Sequence, residues 1–303
     1  MRQPAPGGVL VIGSVNRDRI LRVTTRPAAG STVLATGMAT RTGGKGANQA
    51  VAAVRAGAVT RLVGCVGDDA DGRDALADLT RAGVDISGVI VAARSPSGSA
   101  FVTVTPDGEN AIVVEPGSNA LLRPADAAEA IASCRSRRVA EGVVVTQAEI
   151  PAAVVDRAAA AAAAAGIRFV YNLAPYRPVS EPVLRLCDPL AVNEGEAAAL
   201  VGHPLGSVGL AQAFAVELAS ACRSVVVTLG PAGAVLADDR GPRHVPATPV
   251  DDVVDTTGAG DAFVGAMAAA LAAAADLDSA VTAGARAAAA VISRGAGSLS
   301  SAR

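Results

Sequence analysis

The chain has 303 residues, a formal net charge of -2 and 18% charged residues, which excludes the basic face of a nucleic-acid binder and leaves room for one large α/β core. Much of its 51% apolar content is alanine in runs such as residues 158–165, broken by Gly166 and too short to span a bilayer, so these runs predict closely packed core helices. Cys65, Cys134, Cys187 and Cys222 lie far apart and His203 and His244 are the only histidines, so no zinc-ligand spacing exists. The start, from Met1 to Gly8, is rich in Pro and Gly and lacks the pattern of a secretory signal, so the expected setting is a reducing cytoplasm. With no Trp, two Tyr and four Phe, few rings are present to stack on a base.

In chain order, Val9-Leu10-Val11-Ile12-Gly13 predicts a buried strand ended by a turn. Ser14, Asn16 and Asp18 follow at its carboxyl end, where ligands bind in open α/β sheets. Residues 31–42 are Thr-rich, alternating and without helix caps, which predicts a strand. Then Gly43-Gly44-Lys45-Gly46-Ala47-Asn48-Gln49-Ala50 leads into a helix over residues 51–56. Its glycines let backbone approach a ligand, and Lys45 and Asn48 supply donors. The spacing is not that of a Walker loop. Residues 61–67 predict a second buried strand, and Asp68, Asp69 and Asp71 open a helix through Leu79, where carboxylates cap and complement the dipole. Residues 99–105 and 111–114 flank Pro106-Asp107-Gly108-Glu109-Asn110, a hairpin signal. With the strand over 31–42, this hairpin predicts a small sheet projecting from the main domain.

Beyond Asn119 strands and helices alternate. Strands at 142–146, 168–171, 190–192 and 224–228 end respectively at Gln147-Ala148-Glu149, at Asn172, at Asn193-Glu194-Gly195-Glu196 and at Leu229-Gly230-Pro231-Ala232-Gly233. A helix over 151–165 lies between the first two. This rhythm predicts a parallel sheet with right-handed crossovers and polar groups along one edge. The segment Asp255-Thr256-Thr257-Gly258-Ala259-Gly260-Asp261 then opens a long apolar helix, whose first N–H groups make an anion site. A carboxylate at its mouth suits removal of a proton from a nucleophile that attacks the bound anion, so Asp261 predicts phosphoryl transfer.

Five segments in order carry a resemblance over almost the whole chain: Gly13-Ser14-Val15-Asn16-Arg17-Asp18, the Gly43 to Ala50 run, Asn193-Glu194-Gly195-Glu196, Thr228-Leu229-Gly230 with Gly233, and Asp255 to Asp261. The chain resembles the ribokinase (PfkB) family of carbohydrate kinases. The resemblance implies a single α/β domain over 1–303, a Rossmann-like three-layer sandwich with a mostly parallel central sheet. A small β-sheet lid would come from discontinuous strands within about 14–42 and 97–116. It implies a sugar site of Asn16, Asp18, Gly44, Lys45, Asn48 and Glu149, with Asp261 as base and Gly258, Ala259 and Gly260 around the transferred phosphoryl group.

Asn193 and Glu196 resemble the segment that organises magnesium and phosphate through water, with Glu196 toward the metal. Thr228, Gly230, Gly233 and Gly260 resemble the nucleotide side. Asp255, Thr257 and Gly295 resemble the monovalent-cation site, usually potassium, although a helix cap accounts equally for Asp255. The implied cofactors are ATP, Mg2+ and K+, the implied acceptor is D-ribose at O5, and the implied assembly is a homodimer through the lid. Deoxyribose, a nucleoside and a sugar phosphate are rival acceptors. A nucleoside needs a ring surface and the lid offers only Phe101, whereas a sugar phosphate needs cations, for which Arg17 and Arg41 are candidates. A non-catalytic sugar-binding regulator is a further rival, against which the retained Asp261 and glycine turn argue. Val264 stands where many members have Asn, and residues 280–290 offer no base-contacting group.

Overall fold

The computed structural model describes residues 7–106, 110–134, 141–253 and 255–294. Its strands in chain order are β1 (Gly8–Ile12), β2 (Asn16–Val23), β3 (Ala35–Gly43), β4 (Thr60–Gly67), β5 (Asp85–Ala92), β6 (Gly98–Val104), β7 (Asn110–Glu115), β8 (Glu141–Gln147), β9 (Arg168–Asn172), β10 (Cys187–Asn193), β11 (Val225–Thr228), β12 (Ala234–Asp238) and β13 (Gly241–Val245). The helices are α1 (Lys45–Arg55), α2 (Ala70–Arg81), α3 (Pro124–Ala132), α4 (Ala152–Ala165), α5 (Glu181–Leu184), α6 (Glu194–Val201), α7 (Val208–Ala219), α8 (Ala259–Ala272) and α9 (Leu277–Arg294).

The continuous apolar run of β1 is explained by a sheet covered on both faces. Val9 and Val11 enter one core with α1, α2, α8 and α9, while Leu10 and Ile12 enter the other with α3, α4 and α7. The result is the three-layer sandwich implied by the resemblance. The central sheet has the order β13-β12-β11-β10-β9-β8-β1-β4-β5, parallel from β11 to β5 and closed at one edge by the antiparallel β12 and β13. From β1 the chain builds outward through β4 and β5, then returns to the other side of β1 with β8. This reversal opens a crevice at the carboxyl ends of β1 and β8, the place where open α/β sheets bind ligands.

A second sheet of order β3-β2-β6-β7 stands apart from the first. It supplies the small sheet the hairpin predicts, and β6 and β7 pair antiparallel as expected. The hairpin tip at 107–109 lies outside the described residues. Strand β2 falls within the 14–42 span that the resemblance gave to the small sheet, but no local pattern marks it, because Asn-Arg-Asp-Arg-Ile-Leu-Arg-Val carries charge where alternation should show apolar residues. Strands β5, β12 and β13 are likewise unpredicted. The helix expected from residue 51 begins six residues earlier, at Lys45. Among the described residues no helix is long and apolar enough to cross a membrane.

Small residues decide how closely the helices approach. A Cβ added to Gly265 of α8 would lie 2.6 Å from the Cβ of Ala52 on α1, so the two helices pack backbone to backbone there. That contact carries the first turns of α1 and α8 side by side, and these turns hold Lys45, Asn48, Gln49 and Asp261.

Candidate active site

At the carboxyl end of β1 the Ser14 hydroxyl donates to Glu149 Oε2 at 2.6 Å, and the backbone N–H of Lys45 donates to the same oxygen at 3.1 Å. Glu149 thus satisfies an open N–H at the start of α1, whose N-cap, Gly44, adopts φ 86°, a conformation that favours glycine. Asn16 and Asp18 alternate along β2 and are both buried. Asn16 Oδ1 accepts from Asn119 Nδ2 at 2.7 Å, and Asn119 also accepts from the Val15 N–H at 2.8 Å, fixing the first residues of the small sheet. Burial pushes the Asp18 carboxyl up to about 6; Arg41, 3.7 Å away, pulls it down, and Glu149 and Asp261 push it up.

The helix α8 begins at Gly258, in the left-handed region at φ 81°, and no side chain caps it. Of its first N–H groups, that of Ala259 donates to Thr256 O at 3.2 Å. Asp261, in the first turn, is held at both oxygens. Asn48 Nδ2 donates to Oδ2 and Gln49 Nε2 to Oδ1, each at 3.0 Å. The Lys45 ammonium is held above its ordinary value, chiefly by Asp261, against its own burial and with help from Glu149 and Glu196. The seven residues Asn16, Asp18, Gly44, Lys45, Asn48, Glu149 and Asp261 therefore meet at one end of the crevice.

The other half of the edge lies on β10 and β11, where Asn193 and Thr228 are register partners. Asn193 and Glu196 form a reciprocal capping box at the start of α6: each backbone N–H donates to the other's side-chain oxygen at 2.8 Å. Burial raises the Glu196 carboxyl, while the Asn193 N–H and Lys45 lower it. Gly230 and Gly233, at φ 55° and 89°, turn the chain between β11 and β12, with the Leu229 N–H donating to Gly233 O at 2.8 Å. Asp255 Oδ1 accepts from the Thr257 N–H at 2.8 Å, a turn-capping contact. The Asp255 N–H reaches Ile292 O at 3.5 Å, near the end of α9; Gly295, beyond it, lies outside the described residues.

No group of three or more His, Cys, Asp or Glu that could hold a metal occurs among the described residues. The single carboxylate of Glu196, with one oxygen in the capping box, fits an ion that keeps most of its water, as magnesium does.

The profile described as pfkB family carbohydrate kinase matches residues 7–302. The chain belongs to this family. It is 36% identical over 273 residues to a ribokinase of Bacillus subtilis (strain 168), covering 90% of this chain and 88% of that protein. It is also 34% identical over 264 residues to a bifunctional ribokinase/ribose-5-phosphate isomerase A of Fructilactobacillus sanfranciscensis, covering 86% of this chain but only 48% of that longer protein. Among solved structures, an Arabidopsis thaliana ribokinase complexed with ribose and ATP superposes with a TM-score of 0.87 at 28% identity, covering 98% of this chain and 96% of that one.

Within this family fold, several residues at the site are given no role of their own by the sequence. Gln49, Gln147, Asn172 and Asn119 are all buried and form amide contacts around the residues above. Gln147 and Asn172 stand at strand ends, the one signal that marks them. The carboxylates that open α2 and continue along it behave in two ways. Asp69 caps the helix, accepting from the Gly72 N–H at 2.7 Å, as expected. Asp71, Asp74 and Asp78 face the small sheet instead, and Arg17 lies 4.0, 3.3 and 3.3 Å from them. Their spacing of three and four residues, one helix face, is the signal that could have shown this.

Proposed function

We propose that the protein transfers the γ-phosphoryl group of ATP to the O5 hydroxyl of D-ribose. The observation that carries this reading is Asp261, clamped between Asn48 and Gln49 at the mouth of an uncapped helix N-terminus, beside the buried Asn16 and Asp18 and the half-buried Lys45. Asn16, Asp18, Lys45, Asn48 and Glu149 offer the mix of acceptors and donors that a polyol requires. Gly44 adds close backbone approach. Asp261 takes the proton of the attacking hydroxyl, and the N–H groups at Gly258 and Gly260, with that of Ala259 once it leaves Thr256 O, meet the charge that develops on the transferred group. Thr228, Gly230, Gly233 and Asn193 line the nucleotide side. Glu196 would hold magnesium through water, and magnesium would neutralise charge on the phosphates. Asp255 and Thr257, with Gly295, would hold a monovalent cation, potassium in this reading.

An acceptor without phosphate is favoured because the lid cations are already engaged. Arg17 is matched by the α2 aspartates and Arg41 by Asp18. A nucleoside would have to share its ring, since one face of Phe101 already carries the Arg19 guanidinium 5.8 Å from its centroid. The lid carries exposed Met38, Ile112, Val113 and Val114, which support a homodimer through this sheet. Closing the lid over the sugar excludes water, a competing acceptor. Four buried free cysteines support a reducing, cytoplasmic setting. Replacing Asp261→Asn is expected to lower kcat by about 10²–10⁴-fold with nucleotide affinity unchanged by calorimetry. Near-normal turnover would remove Asp261 from the mechanism.

A further inference from the structure

We propose that Gln49 is a positioning residue that fixes Oδ1 of Asp261 through a polarised chain of buried amides, leaving Oδ2 as the atom that receives the proton. The inference rests on the reading of Asp261 as base.

Gln49 and Gln147 are wholly buried, each at 0% exposure. Both hydrogens of Gln49 Nε2 are used, one to Asp261 Oδ1 at 3.0 Å and one to Asn172 Oδ1 at 2.9 Å. Its Oε1 accepts from Gln147 Nε2 at 2.7 Å. Asn172 is oriented in turn by donating to Ala191 O at 3.2 Å. An ionised carboxylate only accepts, so Asp261 dictates which end of the Gln49 amide faces it. That choice turns Gln49 Oε1 toward Gln147 and makes Gln147 present its NH2 group.

The consequence is visible as an anomaly: Gln147 Oε1 is buried without a hydrogen-bond partner. Native folds contain few such groups. Rotating both amides would give Gln147 Oε1 a donor, but it would aim Gln49 Oε1 at the oxygens of Asp261 and Asn172. The orphan acceptor is therefore what the orientation of Asp261 requires. The two oxygens of Asp261 also differ in setting. Asn48, on Oδ2, is only partly buried and belongs to the proposed sugar site, whereas Gln49, on Oδ1, is sealed. In the transfer, the O5–H bond breaks with its proton passing to Oδ2, the O5–P bond forms, and the bond from the γ-phosphorus to the β-phosphate oxygen breaks to release ADP. Gln49 keeps Oδ1 in place throughout.

The test compares Gln49→Met, Gln147→Met, Asp261→Asn and the Gln49→Met/Asp261→Asn double variant in steady-state and single-turnover assays with ribose and ATP. Gln49→Met is expected to lower kcat about tenfold or more, toward the roughly 10²-fold that a misplacement of about 1 Å can produce, with both KM values unchanged. Gln147→Met should give a smaller fall of the same kind, because it frees the Gln49 amide without touching Asp261. The double variant should turn over no more slowly than Asp261→Asn alone, which a merely structural role for Gln49 would not produce. Wild-type kcat in Gln49→Met, or losses that multiply in the double variant, overturns the proposal. Should Gln49→Met fail to fold, Gln147→Met decides: a lower kcat at unchanged KM supports the proposal, and an unchanged kcat overturns it. Near-normal turnover in Asp261→Asn would instead defeat the reading of the base itself.

Discussion

Asp18 carries a carboxyl that burial pushes up to about 6, from an ordinary 3.8, with Arg41 opposing the rise and Glu149 and Asp261 adding to it. Because the folded value is raised, the stabilisation from its proton is complete below about 3.8 and is lost as pH rises through about 6. Function runs the other way. Only the ionised carboxylate accepts from sugar hydroxyls at both oxygens, so kcat/KM for ribose is expected to fall about tenfold per pH unit below pH 6, while the KM for ATP stays level. Asp18→Asn should remove that acid limb, and a pH profile that keeps it would assign the limb to another group. Residues of this kind were partly legible in sequence. Lys45, Asn48 and Asp261 stand in short glycine-rich runs that announce themselves, and Asp18 follows the first apolar strand. Gln49 stands in the same run, but its meaning depends on Asp261, 212 residues away, and on burial that only the packed helices create.

At the scale of elements, the site depends on how closely α1 and α8 approach. Gly265→Ala would place a Cβ 2.6 Å from that of Ala52, and still nearer the Gln49 carbonyl oxygen, so the helices must separate. Overpacking of this kind costs about 1–3 kcal/mol, and here it also draws Asp261 away from Asn48 and Gln49. A thermal unfolding scan should therefore show a lower Tm together with a lower kcat; a full-activity variant with native Tm would mean that the contact is not what sets the geometry. The alanine-rich composition predicts close-packed helices but not which pair must touch. Strand identity was legible where a run is apolar on both faces, as in β1 and β4. It was not legible in β2, where Arg17 and Arg19 reach out to α2 aspartates, nor in β13, where Arg243 pairs with Asp238 and Asp278. In such strands long-range ion pairs replace the apolar alternation that a local reading needs.

Over the whole molecule, the parallel sheet brings the carboxyl ends of β1, β8, β10 and β11 to one edge, so segments far apart in sequence become two adjoining halves of a site. Lys45 joins them electrostatically, since Asp261, Glu149 and Glu196 all act on it. That arrangement was legible as a recurrence of polar residues after predicted strands, because strand-end chemistry follows from topology alone. The engagement of Arg17 by α2 was not, since it joins side chains 57 and 61 residues apart in the chain. The choice of acceptor is decided by supplying ATP and magnesium with ribose, deoxyribose, fructose 6-phosphate or adenosine and following ADP release, with the product identified by phosphorus NMR. Ribose is expected to give the highest kcat/KM and a phosphate ester at its C5 oxygen. No turnover of ribose, with brisk turnover of one of the others, would contradict it.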